Sequence, residues 1–210
     1  MRYNVQIMNA NKREESLTLE ILEKIEKHDN LTQRHLADSL GVALGLANSY
    51  MKRCVRKGLI KVHQAPANRF LYYLTPKGFA EKSRLTAAYL SISFDFYRRA
   101  GDSLAEIYKV CDAKGWNKIL FCGVSELAEI ASVRATEHDL TIVGTWDPNS
   151  KKKSFLHHPV WKLLDEVSQY DICLLTSLDK ATDFHKLLVE QVDNEKIMIP
   201  SILGINIQDQ

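Results

Sequence analysis

The stretch LTQRHLADSLGVALGLANSYMKRCVRKGLIKV, residues 31–62, decides the fold of the N-terminal part of this chain. Thr32 is a good N-cap for a short helix over residues 33–40, whose leucine and alanine spacing is helical. Gly41 then allows the positive φ that a tight turn needs. A longer helix is predicted from about Leu44 to Lys57. A helix, a short turn with glycine and a second helix are typical of the helix-turn-helix.

The second of these helices separates an apolar arc from a polar and basic arc. The apolar arc, predicted to be buried, holds Ala47, Met51, Cys54 and Val55. The opposite arc holds Gly45, Asn48, Ser49, Lys52 and Arg56, with Arg53 at its edge. Small residues let a helix approach the major groove closely, asparagine pairs with adenine, and Lys and Arg reach phosphates or guanine. We predict that this arc binds double-stranded DNA; the alternative is an ordinary helical domain with a solvated basic face.

Two short strands, LIKVHQ at 59–64 and RFLYYLTP at 69–76, follow this helix and predict a β-wing with its turn at residues 65–68. A wing of this kind reaches the minor groove or the phosphate backbone. The remaining predicted DNA contacts lie at the start of the first helix, on the wing and just after it: Thr32, Gln33, Arg34, Asn68, Arg69 and Lys77.

The charge is divided unevenly along the chain. Residues 1–100 hold 17 Lys and Arg against 9 Asp and Glu, whereas residues 101–210 hold 11 against 17. Within residues 32–77 there are eight basic residues and a single acid, Asp38. Such segregation indicates one half that binds a polyanion and one half with another task.

The opening stretch, followed by YYLTPKGFAEKSRLT at 72–86, resembles the winged helix-turn-helix of MarR-type regulators, and most closely the subgroup associated with exopolysaccharide gene clusters. The resemblance covers roughly residues 15–95. It is carried by the spacing from Leu36-Ala37 through Gly41, Asn48 and Gly58-Leu59 to the Leu74-Thr75-Pro76-Lys77-Gly78 run. The resemblance implies a homodimer that reads a near-palindromic operator.

A helix starting at Pro76 is predicted to continue to about Arg99 and to be apolar on nearly all sides from Leu85 onward. We predict that it dimerises the protein; the alternative is a core helix within one domain. Gly101 is expected to break it. Ser103 and Glu106 resemble a capping box for a separate helix that runs to about Lys114.

The second half alternates apolar strands with helices. Strands are predicted near residues 118–122, 140–146, 171–176 and 195–199, with a weaker one near 159–161. This pattern predicts a parallel sheet covered on both faces. The predicted fold class is therefore an α+β winged helix-turn-helix followed by an α/β Rossmann-like doubly wound parallel sheet. The predicted domains are 1–75 for DNA binding, 76–115 for linking and dimerisation, and 116–210 for ligand binding.

The first strand of this half is followed by Gly123-Val124-Ser125-Glu126-Leu127-Ala128, a partial match to the dinucleotide motif G-x-G-x-x-G/A. Asp147, at the end of the next strand, stands where an acid binds a ribose hydroxyl. Thr176 and Ser177 end a later strand at the same edge. The segment 117–200 resembles Rossmann-like G-A-G-E-x-A-E nucleotide or sugar-nucleotide domains found beside polysaccharide enzymes. Two alternatives follow from this resemblance. The segment binds a nucleotide or nucleotide-sugar effector, or it binds no ligand and serves only as a dimerisation scaffold.

Several classes of function lack support in the sequence. No metal-ligand spacing surrounds His157-His158, and no nucleophile–base pair or paired carboxylate stands out, so we expect neither a metal site nor an enzyme. The four cysteines are expected to be buried thiols in a reducing cytosol. No run of about 18 apolar residues predicts a membrane span, and the first residues do not form a signal peptide.

The expected function is thus a cytoplasmic, dimeric, sequence-specific transcriptional regulator of polysaccharide or surface-sugar genes, with a small-molecule effector in its second half. The rival from another class is a nucleotide-sugar-binding protein or enzyme that carries an accessory basic helical domain.

Overall fold

A computed structural model of the protein describes residues 2–28, 32–65, 69–167 and 169–205, with the side chains of residues 2–12, 65 and 69 left outside the description. The chain divides into two compact units, Met1–Ser93 and Phe94–Gln210. The division falls within one long helix, so that each unit includes a part of it.

The first unit contains three helices, a two-stranded antiparallel sheet and the start of a fourth helix. In chain order these are α1 (Arg2–Lys27), α2 (Gln33–Ser39), α3 (Leu44–Arg56), β1 (Ile60–Ala65), β2 (Arg69–Leu74) and α4 (Pro76–Lys114). From α2 to the start of α4, this is the predicted order. The predicted bounds of α2 and α3 are confirmed to within one residue.

The predicted turn chemistry is present at the ends of α2 and α3. The hydroxyl of Thr32 accepts a hydrogen bond from the backbone N–H of His35 at 3.1 Å, which caps α2. Gly41 and Gly58 have φ values of +61° and +70°, where a side chain would be strained. These two glycines therefore fix the turn between the helices and the exit from α3.

The core of the first unit joins all three helices to the sheet. Its fully buried side chains include Ile21, Leu22, Leu36, Met51, Cys54, Ile60 and Tyr72. Val55 departs from the prediction, because 36% of its side chain is exposed. It lies on the edge of α3 beside the sheet, where no core side chain covers it.

The two strands of the first unit pair in a regular register in which Val62 lies opposite Tyr72 and Gln64 lies opposite Phe70. Opposed residues of an antiparallel pair share one face of the sheet. This face therefore carries an apolar row that begins in the core and continues toward the tip of the hairpin. The predicted turn at its tip, with Asn68, lies outside the described residues.

α4 is a single helix of 39 residues, so the predicted break at Gly101 and the predicted capping box are wrong. Gly101 is buried inside the helix, and a Cβ there would lie 2.9 to 3.3 Å from the guanidinium of Arg134. Glycine costs roughly 1 kcal/mol in a helix, but here it provides space for that side chain. The hydroxyl of Ser103 is 3.0 Å from that of Ser201 instead of capping a helix.

The second unit contains a six-stranded sheet in the order β5-β6-β4-β3-β7-β8. Its further elements are β3 (Lys118–Cys122), α5 (Glu126–Ala135), β4 (Thr141–Trp146), β5 (Ser154–Phe155), β6 (His158–Trp161), β7 (Ile172–Leu175), α6 (Ala181–Val189) and β8 (Ile197–Met198). All pairs are parallel except β5 with β6. The chain moves outward from β3 through β4 to β6, and then crosses to β7 and β8 on the other side.

Helices cover both faces of this sheet, as predicted. On one face the end of α4 and α5 pack together, and the hydroxyl of Tyr108 donates to the carbonyl of Ala131 at 2.8 Å. On the other face α6 places Phe184 and Leu188 in the core. The expected regular alternation of strand and helix is wrong between β6 and β7. There the described residues hold only a 3-10 turn, Leu164–Glu166, which places Leu164 and Val167 in the core.

The β5–β6 hairpin has a strained tip. Leu156 and His157 both have positive φ values, 52° and 63°, which cost non-glycine residues roughly 1–2 kcal/mol each. Leu156 packs against the core, which offsets its strain, whereas His157 is exposed.

We expect His157→Gly to raise the free energy of unfolding by about 1 kcal/mol in urea titrations. His158→Gly, in the following strand, should lower it; a loss in both variants would contradict the strain.

Candidate nucleic-acid interface

The rotation of α3 about its axis is fixed by three buried side chains. Ala47, Met51 and Cys54 are 2%, 3% and 1% exposed. The residues on the opposite side, Gly45, Ser49, Lys52 and Arg56, are exposed. Burial also raises the pKa of the Cys54 thiol to about 11, which keeps this inner side uncharged. The helix thus presents the small and basic face that the sequence predicts.

Asn48 lies at the border of this face and differs from the prediction. The residue is half-buried, and its side-chain oxygen is enclosed without a hydrogen-bond partner. A bidentate contact to adenine needs both ends of the amide. Asn48 must therefore change its side-chain conformation before it can read a base.

Arg53 is turned away from the outer face and forms an ion pair with Glu14 of α1. Lys57 lies 3.6 Å from the same carboxylate. The hydrogen bond from Arg53 holds the pKa of Glu14 below its ordinary value, so the carboxylate is charged at neutral pH. The predicted DNA contact of Arg53 competes with this internal anion.

The ion pair gives a prediction about salt dependence. Glu14→Gln should release Arg53 and Lys57 for phosphates, increase duplex affinity several-fold and steepen the salt slope by about one to two units per protomer. Fluorescence anisotropy over a salt series measures both. Glu20→Gln removes the same charge from an exposed position of α1 and should change neither quantity. Equal affinities for the two variants would contradict the competition.

A comparison with protein families decides the class of this unit. Residues 15–61 match the winged helix-turn-helix DNA-binding family. The match begins within α1 and ends in β1, so it includes the whole of α2 and α3. The prediction of a winged helix-turn-helix for the first unit is confirmed. No curated protein sequence matches the chain.

Several solved structures of transcription regulators are similar to parts of this chain. MepR of Staphylococcus aureus, a regulator of the multidrug efflux pump MepA, is 18% identical over 46% of this chain and 81% of its own, with a TM-score of 0.35. A MepR–DNA complex is 20% identical over 45% and 76%, with a TM-score of 0.37. Apo MarR from E. coli is 22% identical over 39% and 72%, with a TM-score of 0.30. These likenesses span less than half of the chain.

The other predicted contacts of the winged helix-turn-helix domain have mixed surroundings. Thr32 caps α2, and Gln33 and Arg34 are exposed beside it. The ammonium of Lys77 donates to the carbonyl of Lys57 at 2.9 Å, so it caps the end of α3 as well as carrying charge. The side chain of Arg69, like the whole of Asn68, lies outside the described residues.

The winged helix-turn-helix domain also contains a groove that the sequence analysis missed. It has a volume of about 600 Å³ and lies between α3 and the β1–β2 sheet. Its walls include Gln33, Lys52, Val55, Arg56, Val62 and Phe70. The alternation of apolar residues in both strands indicated this face, but not that it would stay uncovered.

The second predicted site lies at the carboxyl ends of β3, β4 and β7, where the structure brings most of its residues together. The hydroxyl of Thr176 donates to the carbonyl of Gly123 at 2.6 Å. The hydroxyl of Ser125 donates to the carbonyl of Thr176 at 2.5 Å and caps α5. Gly123 has a φ of +109°, and a Cβ there would lie 2.6 Å from Ser177. The turn is therefore closed tightly against the end of β7.

Asp147 is buried in this cluster, and its carboxylate is occupied by backbone donors. One oxygen accepts from the N–H of Val124 at 3.0 Å, and the other accepts from Asn149 and Ser150 at 2.9 Å. The carboxylate thus joins the turn after β3 to the turn after β4. The ribose contact that the sequence predicts for this carboxylate stays a prediction.

The two remaining residues of this predicted site, Leu127 and Glu126, lie in different surroundings. Leu127 is fully buried in the core between α5 and the sheet, so its side chain is unavailable to a ligand. Glu126 is exposed on the first turn of α5. Its negative charge favours the helix N-terminus and opposes a phosphate at the same place.

In the described ranges, no three His, Cys, Asp or Glu residues are grouped so as to hold a metal ion. None of the described helices combines the length and the apolar character needed to cross a bilayer. All four cysteines are buried free thiols, as predicted.

Proposed function

We propose that this protein is a sequence-specific DNA-binding transcriptional regulator that acts as a homodimer. The observation that carries the proposal is the outer face of α3, where small residues and two exposed cations stand opposite a fully buried arc. The family match over residues 15–61 supports it. In a metabolic enzyme with an accessory helical domain, nothing would require the outer face of α3 to lack acidic residues.

In this proposal the N-terminal half of α3 approaches base edges and its C-terminal half binds the backbone. Gly45 and Ser49 allow close contact with the floor of the major groove, whereas Lys52 and Arg56 bind phosphates. Asn48 reads a base after its amide turns outward. A buried polar atom without a hydrogen-bond partner lowers the stability of the fold. A role in reading a base explains why Asn48 is present at this position despite that loss.

The proposal is tested with a labelled duplex from the region upstream of the protein's own coding sequence, titrated against unrelated competitor DNA. We expect specific binding that weakens with salt. Asn48→Ala should reduce the preference for this duplex by about 1–3 kcal/mol while leaving competitor binding unchanged. Its thermal stability should not fall, since the lost oxygen has no partner. Equal binding of both DNAs by the unaltered protein would contradict sequence-specific regulation.

The proposed dimer interface lies along α4, which exposes an unusual amount of apolar surface. Tyr89, Leu90, Ile92 and Phe94 are 61%, 45%, 55% and 58% exposed. Large exposed apolar patches mark interaction sites. A second copy of α4 would cover this surface and provide the two-fold symmetry that a palindromic operator requires.

We expect the double variant Leu90→Glu/Phe94→Glu to sediment as a folded monomer. Charge at an interface is costly to bury, whereas both positions are exposed within a single chain. The conservative pair Leu90→Met/Phe94→Leu should remain dimeric. Sedimentation velocity distinguishes the species, and circular dichroism checks the fold. A dimer that survives both glutamates would place the interface elsewhere.

For the second unit we infer a Rossmann-like scaffold in which Asp147 stabilises the loops instead of binding a ribose. The parallel strands in the order β6-β4-β3-β7-β8 and the helices on both faces support this. A nucleotide or nucleotide-sugar effector is the second candidate role. It is favoured by the reversal of strand order beside β3, where ligands of such sheets bind.

Thermal shift with NAD(H), nucleoside diphosphates and nucleotide sugars distinguishes these roles. The scaffold role predicts no change in Tm across the panel, whereas an effector at 100 times its Kd adds about 2.7 kcal/mol of stability.

The most specific part of the proposal is the regulation of polysaccharide or surface-sugar genes in the cytoplasm. It rests on the sequence resemblance alone.

A further inference from the structure

The groove between α3 and the β1–β2 sheet has an apolar floor that the residues described by the structure leave exposed. Val55, Val62 and Phe70 are 36%, 38% and 49% exposed there. The strand register places Phe70 and Val62 on the face that continues from the core, so the row points toward α3. A small domain exposes such a row at a cost, which suggests that another molecule covers it.

The rim of this groove is positively charged. Lys52 and Arg56 of α3 line it, and Gln33 of α2 lies with its amide nitrogen 3.5 Å from the hydroxyl of Tyr72. No carboxylate is found among its lining residues in the described part of the chain. The two cations are those that the proposed function assigns to phosphates. The groove is therefore continuous with the proposed DNA-binding face.

An apolar floor beneath cations fits the chemistry of a nucleic-acid backbone. Each strand of duplex DNA carries one charge per 3.4 Å, and apolar deoxyribose edges separate the phosphates. When α3 occupies the major groove, a backbone strand borders the helix. The groove is lined by the C-terminal half of α3 and by both strands of the sheet, so it is open to such a strand.

We propose that the groove binds one strand of the operator backbone, with its cations on phosphates and its apolar floor against deoxyribose. This inference rests on the proposed DNA-binding function and adds a specificity to it. A ribose 2′-hydroxyl pressed on Val55, Val62 and Phe70 would lose its water and find no partner. The floor thus selects deoxyribose over ribose at the positions it covers.

A single-substitution scan of a bound duplex tests the proposal. The duplex is recovered by selection from random DNA, and each deoxynucleotide is replaced in turn by a ribonucleotide or by a 2′-fluoro nucleotide. The fluoro sugar favours the same ring pucker as ribose but offers no hydroxyl. We expect one or two positions per half-site where ribose weakens binding about tenfold and 2′-fluoro by less than about threefold.

Variants assign this penalty to the groove. Phe70→Ala should bring the ribose-to-deoxyribose ratio of Kd at those positions close to one, and Val55→Thr, which supplies a hydroxyl, should also reduce it. Tyr73→Ala is the matched control, because Tyr73 lies on the same strand, pairs with Lys61 and faces the other side. It should keep the full penalty. Phe70 is half exposed, so its loss should leave the fold intact, as thermal melting checks.

Three results would overturn the proposal. They are the absence of a ribose penalty at any position, an equal penalty from 2′-fluoro, and a penalty unchanged in Phe70→Ala and Val55→Thr. Each of these leaves DNA binding itself intact. Failure to recover any duplex in the selection overturns the proposed function and this inference together.

Discussion

The double variant Lys52→Ala/Arg56→Ala should bind its duplex about 100-fold more weakly than the unaltered protein at physiological salt. Both side chains are exposed on the outer face of α3 and line the groove beside it. Hydrogen bonds to charged groups contribute about 1.5–3 kcal/mol each, and two such contacts are lost in each protomer, so a 100-fold loss, about 2.7 kcal/mol, is the smallest effect expected. The slope of log affinity against log salt should also fall by about two units per bound protomer.

The control for this prediction is Lys151→Ala/Lys153→Ala. It removes the same charge from exposed positions in the second unit. Binding by this variant should match that of the unaltered protein, because the proposed phosphate contacts belong to α3 and not to these two lysines. A similar loss in the two double variants would show that net charge, not α3, accounts for DNA binding.

Asp147→Ala should produce the largest loss of stability among the substitutions considered. Its carboxylate accepts three backbone hydrogen bonds of 2.9 to 3.0 Å in a buried position. Removing it leaves the N–H groups of Val124 and Asn149 without this partner, whereas the N–H of Ser150 also donates to the backbone carbonyl of residue 147 at 3.3 Å. Hydrogen bonds to a charged group contribute about 1.5–3 kcal/mol each, so we expect a loss of roughly 2–4 kcal/mol.

Urea unfolding followed by circular dichroism measures this loss, with Asp139→Ala as the control. Asp139 is exposed in the turn before β4 and should change the free energy of unfolding by less than about 0.5 kcal/mol. DNA affinity of folded Asp147→Ala at low temperature should be unchanged. A stable Asp147→Ala protein that has lost only a nucleotide response would instead support the ribose-ligand prediction.

The fold of the first unit was predictable because its signals are local. Thr32, Gly41 and Gly58 each set a helix end through their own backbone or side chain. By contrast, the continuity of α4 depends on Arg134, which lies 33 positions after Gly101 and takes the space that a Cβ would occupy. Local propensity at Gly101 pointed to a break, and a tertiary contact reversed it.

The candidate sites, too, were predictable where local signals decide and not where a contact with a distant part of the chain decides. The wheel of α3 correctly placed Lys52 and Arg56 outside and Met51 inside, because helical periodicity fixes direction. It placed Arg53 at the edge of the polar arc but did not indicate its partner Glu14, which belongs to another helix. Likewise, strand ends predicted that Asp147 and the Gly123 turn would meet. They did not indicate that backbone N–H groups would occupy the carboxylate.

Selection of bound sequences from a random duplex library tests whether α3 reads DNA in a two-fold symmetric complex. We expect enrichment of an inverted repeat whose half-sites lie about one helical turn, roughly 10 bp, or a multiple apart. Asn48→Ala should alter the selected half-site, whereas Tyr73→Ala should not. Recovery of sequences with no enriched motif from a folded protein would contradict symmetric, sequence-specific binding by α3.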